Sequence, residues 1–186
     1  MKKLRQRCSG VTMSELLIVL VIMSILTTLG VSGLQRAVAN TRVKDAAFNV
    51  SAYLERAANE AQRRNTRLCV KKDPTNSQKL ITYTALCGSE KETDKIDSLI
   101  LDSPNRIIDD LVNGAAFAGL DNWAVKPSGS VGAQFTPHTG RSSAPVRGYF
   151  AVQYGGQGIY GAALKTEKKN AFIPMMKYDE GSWFKL

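Results

Sequence analysis

The chain has 186 residues, a formal charge of +9, 44% hydrophobic residues and one histidine, the size of a single small domain with a modest core. A lone histidine and three cysteines provide no zinc-spaced cluster and no set of imidazoles on which to build a catalytic site. Lys2, Lys3, Arg5 and Arg7 carry four of the charges in the first seven residues, so the remainder is too mildly basic to announce nucleic-acid binding by charge alone.

The first predicted element is an uncharged apolar run, Leu16 to Gln35, with Glu15 at its start and the short basic stretch Met1 to Gly10 behind it. A charged side chain at the centre of a membrane-spanning helix costs about 2.5–3.5 kcal/mol, so a carboxylate retained there is paired or functional. A secretory signal is one explanation of the run, with Leu16 to Leu29 as its apolar region and Ala37-Val38-Ala39 as a cleavage site. Gln35 and Arg36 hold that site too far from the apolar region. A plain signal anchor is another explanation, its N-terminus cytoplasmic by the positive-inside rule. Neither gives Gly10 or Glu15 a purpose.

The pattern of basic leader, Gly10, the polar step Val11-Thr12-Met13-Ser14-Glu15 and then Leu16 to Ile22 closely resembles the N-terminus of a type IV prepilin or pseudopilin. The resemblance implies cleavage after Gly10 by prepilin peptidase, which makes Val11 the new N-terminus and Glu15 the fifth residue of the mature chain. It also implies that Glu15 attracts the N-terminal ammonium of a neighbouring subunit. Opposite charges brought together in a low dielectric attract strongly, which suits that role. Val11 stands where Phe or Met is commoner, and Met13-Ser14 replaces an aliphatic pair, which leaves N-methylation open. The implied location is the inner membrane, crossed once with the N-terminus in the cytoplasm, and then a fibre in the periplasm or at the surface. The implied partners are the peptidase, the membrane and other subunits.

Beyond the apolar run, Val43, Ala46, Ala47, Val50, Leu54, Ala57, Ala58 and Ala61 recur at helical spacing, which predicts an amphipathic helix over 36–65 with an alanine-rich seam. Gly30 and Gly33, in the preceding 11–35 segment, suit either a bend or melted turn or close packing in the membrane. From Thr66 onward the period shifts towards two. Thr66 to Val70 and Leu80 to Thr84 flank the turn-forming Asp73-Pro74-Thr75-Asn76-Ser77, which predicts a hairpin. Cys8 leaves with the leader, and Cys69 and Cys87 remain as a possible disulfide in an oxidising compartment. Ile107, Ile108, Leu111 and Val112 suggest one short helix. Ser130 to Phe135, Tyr149 to Tyr154, Ile159 to Leu164 and Ala171 to Met176 are strand candidates, the last near an edge because of Pro174. The fold class is α+β: a long N-terminal helix packed on an antiparallel sheet formed within 66–186.

Two later passages extend the resemblance. Ala57 to Asn65 is similar to the A-R-x-E-A-x-x-R-N stretch of minor pseudopilins, and Phe135 to Arg141 resembles an F-x-P-x-G step before that family's last hairpins. A structural subunit is therefore expected rather than an enzyme, without cofactor. His138 lies in a Pro/Gly loop with no nominated partner. Asp109-Asp110 and Asp179-Glu180 are the acidic pairs to weigh for calcium, but they lack alternating oxygen ligands, so no metal is expected. DNA uptake is the functional alternative, through Arg63, Arg64, Arg67, Lys71 and Lys72, whose charges equally suit a solvated helix C-terminus. The G-R-x-R step typical of DNA-binding minor pilins is missing from Gly181 to Leu186.

Overall fold

The computed structural model describes residues 11–109, 120–125, 131–137, 148–155, 160–166, 173–178 and 184–185. Its backbone contacts divide the chain into two compact units, one ending at Val38 and the other running Ala39–Leu186.

Helix α1 (Met13–Arg64) is unbroken, so the turn carrying Gly30 and Gly33 is helical rather than melted. In that part the hydroxyls of Ser24, Thr27, Thr28 and Ser32 donate to carbonyls three or four residues back, which satisfies them without leaving the helix. The helix ends in a Schellman motif. Asn65 takes the left-handed conformation, with φ 50°, its N–H donates to the Gln62 carbonyl, and the Thr66 N–H reaches back to Ala61. Asparagine tolerates that conformation better than most side chains.

Among the described residues the second unit adds a single 3-10 turn, Glu92–Asp94, and the strands β1 (Leu68–Lys72), β2 (Lys79–Tyr83), β3 (Lys95–Ile100), β4 (Asn105–Ile108), β5 (Asp121–Asn122), β6 (Ala133–Phe135), β7 (Gly148–Tyr154), β8 (Tyr160–Thr166), β9 (Ile173–Tyr178) and β10 (Phe184–Lys185). They form two sheets, ordered β3-β2-β1-β6 and β10-β9-β8-β7-β4, with β5 beside β7 in a short parallel pair. The other pairings are antiparallel, including the β1–β2 hairpin around residues 73–77. β10 pairs with Met175 and Met176, so β9, which carries Pro174, lies next to the outermost described strand of its sheet.

Every residue of the expected seam is buried, joined by Ala39, Ser51 and Tyr53. The shared core sets Val50, Leu54, Ala57, Ala58 and Ala61 of α1 against Leu68, Val70 and Leu80 of the first sheet and Ile107, Phe150 and Val152 of the second. Each large aliphatic or aromatic side chain fully buried there contributes about 1.5–3 kcal/mol relative to exposure. Trp123 and Phe150 pack with ring centroids 5.4 Å apart. Gly148 abuts the indole so closely that a Cβ would overlap it.

Ile107 and Ile108 belong to β4, not to a short helix, which corrects the expectation for that stretch. Their side chains go to opposite faces, Ile107 to the helix-packed core and Ile108 to Tyr149, Ala151 and Leu120. A strand covered on both sides shows a continuous apolar run that resembles a helix segment in sequence. Leu111 and Val112 lie outside the described residues.

One buried polar contact ties α1 to the first sheet. The Tyr53 and Thr82 hydroxyls are 2.7 Å apart. Tyr53→Phe is expected to cost about 1–3 kcal/mol, read as a lower urea midpoint, because Thr82 loses its buried partner. Burial pushes the Tyr53 phenol from 10.0 up to about 12, against the opposing pull of the Thr82 hydrogen bond. The unfolded chain therefore loses this proton first, and the contribution fades as pH rises from about 10 through about 12. The Phe variant should lack that part of the alkaline slope.

Candidate functional site

The N-terminal end of α1 is built around Thr12 and Glu15. The Glu15 N–H donates to Thr12 Oγ1 at 3.3 Å, while the Thr12 N–H and hydroxyl both donate to Glu15 Oε2 at 2.9 Å. This is a reciprocal capping box, two otherwise unsatisfied amide donors answered by one Thr-x-x-Glu spacing. Thr12 is a site residue that the sequence reading passed over, although the spacing itself was there to find. The carboxylate also lies at the helix N-terminus, where the helix dipole favours negative charge.

From Val11 to Val38 every side chain is exposed, including Leu16, Leu17, Ile18, Val19, Leu20 and Val21. Among the described residues α1 is one helix long and apolar enough to cross a membrane, and none of its apolar window is buried within the molecule. Such a surface is stable only against lipid or other apolar side chains. Gly10 and the leader lie outside the described residues.

Cys69 and Cys87 are joined as a disulfide, with Cα atoms 5.1 Å apart. The bridge fastens β1 to the segment that follows β2. Gly132, just before β6, lies against it: a Cβ there would come within 2.8 Å of the Val70 carbonyl oxygen and within 3.0 and 3.2 Å of the Cys69 and Cys87 sulfurs.

The basic residues at the helix end are partly neutralised, with three carboxylates facing five cations. Arg63 and Arg64 both donate to Glu60, whose carboxyl is held down to about 2, first by the Arg63 hydrogen bond and then by that of Arg64. Lys71 pairs with Glu90 and lies 5.2 Å from the centre of the Tyr83 ring, and Lys72 pairs with Asp109. Burial works to raise the Glu90 carboxyl, but the Lys71 bond and nearby amides outweigh it and leave it lowered. Arg67 makes no ion pair with a described residue. Exposed Arg63 and Arg64 remain near one another, yet four of the five cations already have carboxylate partners. His138, Asp110, Asp179 and Glu180 lie outside the described residues.

Residues 5–31 match the family model described as the prokaryotic N-terminal methylation motif. No curated protein matches the chain. Among solved structures, the minor pseudopilin EpsH from the type 2 secretion system of Vibrio cholerae aligns faintly with it, at 11% identity and a TM-score of 0.36 over 78% of this chain and 96% of that one. The chain thus carries, at residues 5–31, a prokaryotic N-terminal methylation motif that leads into the apolar part of α1.

Proposed function

We propose that the chain is a minor pilin or pseudopilin, a non-catalytic subunit of a type IV pilus or of a type II secretion pseudopilus. The observation that carries this reading is the methylation motif over 5–31, which includes Gly10 and Glu15 and runs directly into the apolar, uncovered part of α1. Prepilin peptidase cuts after Gly10. The freed Val11 amine and Glu15 then set the register between subunits, and the helix serves first as membrane anchor and afterwards as fibre core. Bilayer and fibre interior are both apolar, so the transfer changes little hydrophobic free energy and is readily reversed. The pairing at the helix end weakens the DNA-uptake alternative, since three of the five positive charges are offset by Glu60, Glu90 and Asp109, with which phosphates would compete.

Intact mass and N-terminal sequence of the protein from its native cell test the reading. A chain beginning at Val11, with or without a methyl group, is the expected result. A chain beginning at Met1 would make it a signal-anchored protein and one beginning at Asn40 a secreted one, and either would overturn the proposal.

A further inference from the structure

The β1–β2 turn, the turn before β4 and the end of β7 meet around a hollow of about 380 Å³, lined by Thr75, Asn76, Ser77, Gln78, Ser103 and Arg106, among others. Backbone hydrogen bonds fix its walls: the Ile107 N–H donates to the Ser77 carbonyl at 2.7 Å, the Leu101 N–H to that of Gln78 at 2.8 Å and the Gly155 N–H to that of Pro104 at 3.1 Å. Gln78 Nε2 adds a bond to the Asn105 carbonyl at 3.2 Å. Arg106 is the only charged group among the described residues that line the space. It is partly buried and pairs with no carboxylate among the described residues. Its Nη2 donates to Gln153 Oε1 at 3.1 Å, its Nε is enclosed without a partner, and its Nη1 is the nitrogen left accessible. Asp73, in the adjoining turn, is engaged by Thr75 and Lys79 instead. A guanidinium so far withdrawn from water, with one neutral oxygen for company, lacks the anion that buried arginines take.

We propose that this hollow binds a hydroxylated monocarboxylate, the class that includes the sugar acids. One cation with no second beside it calls for a single negative charge, and the planar fork of Nη1 and Nη2 matches the two oxygens of a carboxylate. The rest of the lining is neutral and polar. Among the described residues the hydroxyls of Ser77 and Ser103 and the amide nitrogen of Asn76 make no hydrogen bond, while Asn76 Oδ1 accepts from the Gln78 N–H at 2.9 Å and so holds that amide in place. Hydroxyls and amides both donate and accept, which complements the hydroxyls of a ligand. The space is more than a bare carboxylate fills, yet it lies at the small end of ligand pockets, about 300–1,000 Å³. Walls pinned by backbone bonds need little ordering on binding, but a single charge on an exposed turn keeps the affinity weak, on the order of 1 mM. The site lies wholly within the second unit and is independent of the fibre role.

The test is thermal unfolding of the full-length chain in detergent, titrated with sodium glucuronate at constant pH and ionic strength, beside acetate, phosphate and glucose. The expected result is a saturable rise in Tm of roughly 3–6 °C with glucuronate at ten times Kd, a response to acetate and phosphate at least about fivefold weaker in midpoint, and none to glucose. Arg106→Gln should weaken the glucuronate response at least about tenfold, because the charged fork is lost. Ser103→Ala guards against an Arg106 variant that merely folds poorly. Ser103 is exposed, so its hydroxyl can be removed without a core cost, and the glucuronate midpoint should still weaken about threefold or more. No saturable rise with glucuronate, or an undiminished response in both variants, would overturn the site. A response to acetate as strong as that to glucuronate would reassign the hollow to a bare carboxylate such as an acidic side chain, and a stronger one to phosphate or an equal one to glucose would likewise overturn the ligand class.

Discussion

Glu15→Ala is expected to remain in the membrane but to enter fibres about a hundredfold less than the parent, measured as the ratio of sheared-fibre to membrane-bound protein. The magnitude follows from leaving an ammonium without its partner in an apolar interior, about 3 kcal/mol or more, against about 1.4 kcal/mol for each factor of ten. Loss of the helix cap complicates the Ala variant, since Glu15 also accepts from Thr12. Glu15→Gln resolves this, because its amide oxygen keeps an acceptor for the Thr12 N–H while removing the charge. If pairing is the role, the Gln variant is excluded nearly as strongly as the Ala one. Recovery of fibre entry by Gln would show that Glu15 acts only through its own helix, and normal entry of the Ala variant would remove the residue from assembly altogether.

Gly132→Ala should destabilise the second unit by about 3 kcal/mol or more, read as a fall in the urea midpoint at unchanged slope. Its φ of +120° lies where L side chains are strained, a cost of about 1–3 kcal/mol, and the new methyl would press on the Val70 carbonyl and both bridge sulfurs. Overpacking adds about 1–3 kcal/mol, because the nearest atom belongs to the backbone of β1 and cannot turn aside. Replacing both Cys69 and Cys87 by Ser should reduce this penalty without abolishing it, since the sulfurs go but the carbonyl stays; the double-mutant cycle isolates the share due to the bridge. A Gly132→Ala protein as stable as its parent would mean that the bridge and β6 are not packed together in solution.

Sequence periodicity carried most of the fold because the buried faces are regular. The seam from Val43 to Ala61 follows the helical period closely, β2 and β7 are rich in β-branched or aromatic side chains, and β1 is marked off from β2 by the turn residues 73–77. β3 escaped notice because it is an edge strand with little burial, and Lys95, Asp97 and Ser98 blur its alternation. β4 was misread through Ile107 and Ile108, where burial on two faces removed the polar gaps that mark a strand. Sequence also has no means of reporting distance. The approach of Cys69 to Cys87, the carboxylate partners of Arg63, Arg64, Lys71 and Lys72, and the hollow beside Arg106 arise only when remote segments meet. Arg106, between Asn105 and Ile107, reads as a solvated cation with nothing to set it apart.

The alanine seam of α1 has a consequence for how substitutions at this face are filtered. Ala46, Ala47, Ala57, Ala58 and Ala61 contribute little volume, and their value lies in how near they let the helix backbone come to its neighbours. Tolerance is therefore lopsided. Exchange for Gly removes one carbon and costs mainly helix propensity, about 1 kcal/mol, whereas Val or Leu at the same positions wedges apart surfaces that larger residues elsewhere depend on. A truncation survey would pass over this interface as unimportant, although it sets the spacing on which the burial of Leu54, Phe150 and Ile107 depends.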